Sequence, residues 1–207
     1  LFMLRNNHFT SNAFALEQTL HTLDRMAAAG IHDWLGGGFS RYATDTDWNI
    51  PHFEKMLYDN GQLLSLYSEA WQLTRKQCYR DVVYQMVKFV NRELRSPEGA
   101  FFSSIDADSE DEEGMFYVWT KLEIEERLGV HADLFCSLFN ITEEGNWESG
   151  KNILYTRDGP GKMAEKAGLD HARLKNILRQ SMKILFEARE QRVHPACDEK
   201  ILTAWNG

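Results

Sequence analysis

This sequence predicts an all-α fold assembled from helical hairpins. Two observations predict it. Apolar residues recur at helical spacing through most of the chain. Two of the helical stretches also end in similar glycine-and-aromatic turns, Gly37-Gly38-Phe39 and Glu98-Gly99-Ala100-Phe101, about 60 residues apart, the length of one hairpin with its loops. Units that cannot bury their apolar faces alone must stack, giving a solenoid or a closed ring.

The elements follow in order. Thr10, Ser11 and Asn12 offer caps for a helix to Ala29, striped by Leu16, Leu20, Leu23 and Ala27 and stopped by Gly30. Gly36-Gly37-Gly38 reads as a sharp turn or a close backbone approach. Pro51 suits the first turn of a second helix carrying Phe53, Leu57, Leu64, Tyr67 and Trp71. Thr74 and Gln77 resemble a capping box before a third helix, striped by Tyr79, Val82, Val83, Met86 and Val90. Phe101-Phe102-Ser103 and Met115 to Trp119 are β-prone runs around an acidic loop, so short β-hairpins are expected in the connections. Thr120 and Glu123 form a second capping-box signature, for a short helix ending at Gly129. Another short helix holds Leu134, Phe135, Leu138 and Phe139; residues 143–155 read as loop or hairpin. A long helix runs from about Asp170 to Arg192, and 198–207 reads as the start of one more.

Composition narrows function. With 43% hydrophobic and 26% charged residues the chain can bury a core. A formal net charge of −8 argues against a phosphate-backbone binder, so no nucleic-acid partner is expected. No apolar run is long enough for a bilayer, so no membrane partner is expected either. Cys78, Cys136 and Cys197 are sparse and contain no C-x-x-C, which fits a reducing, cytoplasmic setting. Arg41 stands where a dinucleotide fingerprint needs its third glycine, and no Walker A, H-E-x-x-H or G-x-S-x-G motif occurs, so no cofactor is expected. The Asp106 to Gly114 loop misses the EF-hand pattern: Asp111 falls at the glycine position and Tyr117 at the bidentate glutamate position, so no metal site is expected.

The segment from Trp48 to Asp59 carries the richest chemistry. Read as one helix, it places His52 and Asp59 two turns apart on one face, with Glu54 and Tyr58 on another. A histidine can move a proton at neutral pH while a carboxylate orients it. Asp106 and Asp108 are candidates for hydroxyl ligands or acid/base groups at a pocket rim. Asp198, Leu202 and Trp205 share a helical face, with Asp198 also a plausible cap.

Three blocks resemble a known family. They are Gly36 to Tyr42 with Pro51 to Asp59, Asp106 to Ser109 with Gly114 to Trp119, and Asp198 to Gly207. In that order they resemble the spermatogenesis-associated thioredoxin-like family. The resemblance implies the first part of a six-hairpin (α/α)6 toroid, similar to N-acylglucosamine 2-epimerases and six-hairpin glycosidases, without the family's thioredoxin-like domain. Residues 1–207 are then one partial toroid domain, cut at both ends, since Leu1 is not a natural initiator. The implied function is a small-sugar-binding or sugar-isomerising domain. His52 would transfer the proton; Glu54, Asp59 or Asp106 would orient it or hold hydroxyls; Arg41 would polarise a carbonyl. Tyr58, Asp108 and Asp198 would bind substrate, and Trp119 and Trp205 would stack on it. A glycosidase would use two of the carboxylates with a water. The rival reading is a non-catalytic scaffold beside a thioredoxin-like domain. A partial ring is expected to leave Leu16, Leu20 and Leu23 open at one end and Leu174, Ile177, Leu178 and Leu185 at the other. A second copy, or the rest of the toroid, would cover them.

Overall fold

The computed structural model describes residues 2–158 and 160–207, and it is mostly helical with a few short strands. Consecutive helices pair. α1 (Phe2–Thr10) packs on α2 (Ala13–Ala28), α3 (Leu57–Thr74) on α4 (Gln77–Phe89), α5 (Lys121–Leu128) on α6 (Ala132–Leu138), and α7 (Pro160–Ala167) on α8 (His171–Arg189). The short helix α9 (Thr203–Asn206) rests against α3. Among the described residues no helix is long and apolar enough to cross a membrane.

Several ends form as their residues dictate. The Asn12 side chain accepts from the Ala15 N–H, Asp170 from the Arg173 N–H, and Thr120 with Glu123 closes a complete capping box. The Thr74–Gln77 box does not form: Arg75 ends α3 in the left-handed region, and Thr74 Oγ1 donates back to the Ala70 carbonyl. Gly30 is not a left-handed terminator. The Asn49 carbonyl lies 2.0 Å from where its Cβ would sit, so a glycine is required by close approach.

The largest departure concerns Pro51. It does not open a helix. Pro51–His52 is strand β2, paired antiparallel with β1 (Tyr42–Ala43), and Lys55–Met56 is β3. β3 pairs with β4 (Ser104–Ile105), which pairs with β7 (Cys197–Asp198). The Leu57 N–H bonds the Ser103 carbonyl at 2.9 Å, so this small sheet satisfies the first donor of α3 and sets where the helix begins. The acidic segment folds as a hairpin of β5 (Asp108–Ser109) and β6 (Glu112–Glu113), while Met115 to Trp119 turns instead of forming a strand. Asp198 lies in β7 and caps no helix.

Two large apolar clusters hold the helices. One gathers Leu23, Phe39, Tyr67, Tyr79 and Met86; the other Trp119, Ile124, Phe135, Phe139, Leu174 and Leu185. The stripes expected to lie open are therefore covered within the chain. Leu23, Leu174 and Leu185 are buried, and Leu16, Leu20 and Leu178 are half-buried against the same clusters, because α1 covers α2 while α5 and α7 cover α8.

Candidate functional site

The three sheets bring the chemistry to one rim. β1–β2 is a hairpin whose loop wraps the Asp45 carboxylate, which accepts from the N–H groups of Asp47, Asn49 and Ile50. That hairpin stacks the Tyr42 ring on the His52 ring at 4.8 Å. His52 Nδ1 lies 2.7 Å from Glu113 Oε1, delivered by β6. A carboxylate only accepts, so Nδ1 donates to it, and in the neutral ring this leaves Nε2 as the acceptor. Glu54 Oε2 is 3.9 Å from that Nε2, too far for a hydrogen bond, and accepts instead from Arg41 Nη1 at 3.0 Å. Next along, Tyr58 packs edge-on against Trp205 with ring centres 4.8 Å apart. Asp59 Oδ2 is buried with no hydrogen-bond partner among the described residues, and burial raises the pKa of this carboxyl. Asn206 fastens Trp205 in place, its side chain exchanging two hydrogen bonds with the Phe101 backbone.

The rim thus unites Arg41, His52, Glu54, Tyr58, Asp59 and Trp205, though not by the expected route. His52 and Asp59 do not share a helix face, because His52 belongs to β2 and Asp59 to α3. Asp108 stands opposite Glu113 in the β5–β6 pair and is exposed. Asp106 is exposed, accepting from the Asp108 N–H. Asp198 pairs with Lys200 at 2.7 Å, and that hydrogen bond holds its carboxyl below the ordinary value. Trp119 is a correction: it is 0% exposed in the core, with the Arg192 guanidinium 4.0 Å above its ring, and has no face to offer a sugar.

Sequence reasoning missed a second cluster, one residue from Glu54. The Lys55 side chain points inward, is 3% exposed, and donates to Asp33 Oδ2 at 2.7 Å and to the Gly37 carbonyl at 3.0 Å. Arg189, from the last turn of α8, donates to Asp33 Oδ1 at 2.9 Å. Burial opposes ionisation of Asp33, but Arg189 and Lys55 outweigh it and hold the carboxyl far below its usual range. The glycine run serves this cluster. At Gly36 a Cβ would sit 2.2 Å from Arg189 Nη2, so a larger residue would force the buried guanidinium to shift. The missed signal was alternation: a strand at Lys55–Met56 sends Lys55 to the face opposite Glu54.

Fold and site together define a mostly helical domain of paired helices, with a mixed polar and aromatic rim over a buried ion cluster. No family model matches the chain. It is 38% identical to spermatogenesis-associated protein 20 of Homo sapiens and 37% identical to that of Mus musculus, over 93% of its length in each case. It is 34% identical, over 90% of its length, to the uncharacterized protein B0495.5 of Caenorhabditis elegans. The chain is a homologue of these proteins and spans 28% of the length of the two mammalian relatives and 29% of the worm one.

Proposed function

We propose that the chain is part of an (α/α)6 toroid whose rim binds a small sugar, and that it isomerises or epimerises that sugar in the cytoplasm. The carrying observation is the convergence of Arg41, Glu54 and a His52 whose Nδ1 donates to Glu113, flanked by the Tyr42 and Trp205 rings. Sugar sites need such a mixture: fork-like donors and carboxylates for hydroxyls, rings for the apolar sugar face. His52 Nε2 has the geometry to accept a proton, Glu113 holding its tautomer, while Arg41 stabilises charge developing on a carbonyl oxygen. The pairwise helix packing supports the toroid, and three separate free cysteines support a reducing compartment.

Calorimetry of the intact protein against neutral and N-acylated hexoses tests the reading. Saturable binding that weakens in His52→Ala, followed by exchange of a sugar proton with deuterated solvent, supports it. A panel without any saturable binding overturns it.

A further inference from the structure

We infer that the cavity behind β3 is an anion site, taking a halide or the carboxylate of a small ligand. It does not depend on the sugar reading, because Glu54 faces the rim and Lys55 faces this cavity from the other side of the strand.

Charge is the first observation. Lys55, Arg92 and Arg189 line the cavity together with only two carboxylates, Asp33 and Glu93. Glu93 is occupied by Arg92 at 2.5 Å. Asp33 is fully committed: it accepts from Lys55, from Arg189 and from the N–H groups of Leu35 and Gly36. The lining therefore carries one positive charge in excess, with Glu190, which also acts on Arg189, lying outside it; that excess attracts an anion into the cavity.

Unused donor capacity is the second. Arg189 is 3% exposed, and its Nε has no hydrogen-bond partner among the described residues. Its neighbours there are rings: the guanidinium lies 4.9 Å from the centre of Phe116 and 5.5 Å from that of Tyr117.

Size and access are the third. The cavity measures about 20 Å³, against roughly 10–15 Å³ for a single water. That suits a halide or a carboxylate head and is tight for a tetrahedral oxyanion. Arg92 and His194 stand at its edge and are 33% and 44% exposed in their side chains, so the entrance faces solvent while Lys55 and Arg189 form the floor.

The test is chlorine-35 NMR line width of the intact protein, with formate as competitor and sulfate as a size control, all at fixed ionic strength in a methanesulfonate background, whose tetrahedral head is as bulky as the size control. Saturable broadening by chloride, reversed by formate and not by equimolar sulfate, is expected. Reversal by formate places carboxylates among the ligands; broadening that formate leaves untouched assigns the site to halide alone. Lys55→Met removes the surplus charge and keeps Asp33 paired with Arg189, so it should abolish the saturable component. Should that variant not fold, Arg92→Gln at the entrance is read instead, with several-fold weaker chloride binding expected. Absence of saturable broadening in the wild type overturns the inference. So does unchanged affinity in a folded Lys55→Met or, where that variant does not fold, in Arg92→Gln.

Discussion

The Lys55 ammonium lies 2.7 Å from the Asp33 carboxylate, and both side chains are almost sealed from solvent, at 3% and 7% exposure. With Arg189 on the other oxygen, Asp33 is the single negative centre between two buried cations. Removing it leaves both uncompensated. Asp33→Asn is expected to cost about 3–5 kcal/mol, whereas Lys55→Met, which leaves a balanced pair, should cost less than half as much. Urea unfolding midpoints at unchanged slope provide the comparison. The pH sign follows from the depressed carboxyl. Its contribution is complete above the unfolded value of about 4 and is lost as pH falls through the folded one.

Much of the fold was legible in the residues. Helix stripes and side-chain caps are local signals, and Asn12, Thr120 and Asp170 act as their chemistry requires. What stayed hidden is non-local. Pro51 suits a helix start in isolation, but pairing of Pro51 with Ala43 and of Lys55 with Ile105 claims that backbone for sheets. The rim residues were legible by type, while their geometry was not. Glu113 reads as one charge in an acidic run until the β5–β6 register sets it beside His52. Arg189 shows nothing local to say that its partner, Asp33, lies at the other end of the chain.

The glycines give a paired test. Ala at Gly36 would drive its Cβ to 2.2 Å from Arg189 Nη2 and 2.8 Å from Asp33 Oδ2. Gly36→Ala should therefore destabilise by about 1–3 kcal/mol, as overpacking does. Gly61, inside α3, has open space around the same atom, and Gly61→Ala should stabilise by about 0.5–1 kcal/mol. Thermal unfolding of the two variants should move in opposite directions.

His32 predicts an acid limb. It is 2% exposed, stacked 4.8 Å from Phe39, and its Nε2 lacks a hydrogen-bond partner among the described residues. Burial lowers its pKa from 6.5 to about 4. The unfolded chain binds the proton more tightly, so stability is complete above pH 6.5 and is lost as pH falls toward 4, about 3 kcal/mol in all. His32→Leu should flatten the stability profile across that window, even if its stability at neutral pH is lower. A profile as steep as wild type would mean that another group carries the limb.

At the rim, Glu54→Gln keeps the shape and removes the charge that Arg41 meets at 3.0 Å. Both side chains are partly exposed, so folding stability should change by less than about 1 kcal/mol. Sugar affinity, read by calorimetry, should fall at least tenfold, about 1.4 kcal/mol. Unfolding that shifts as much as binding would make the pair structural instead.

The last prediction concerns assembly. The leucine stripes of α2 and α8 are covered by the chain's own helices, so they no longer call for a partner. Apolar exposure concentrates elsewhere, on the first hairpin. Phe2, Phe9 and Phe14 are 81%, 80% and 67% exposed, and Met3 beside them is 39% exposed. Each phenyl ring moved out of water contributes roughly 1.5–3 kcal/mol, so a symmetric pair that buries three rings from each copy gains roughly 9–18 kcal/mol, enough at its upper end for a contact of about 8 kcal/mol after the cost of ordering. The isolated 207-residue chain is therefore expected to self-associate through α1 and the start of α2, most simply as a symmetric pair. Sedimentation velocity over a hundredfold concentration range should show the average mass rising. Phe2→Ser with Phe14→Ser should abolish the rise while leaving the helical signal intact, because neither ring belongs to the buried clusters. A wild-type chain that stays monomeric at the highest concentration overturns the prediction, and association that survives the double substitution moves the contact to another face.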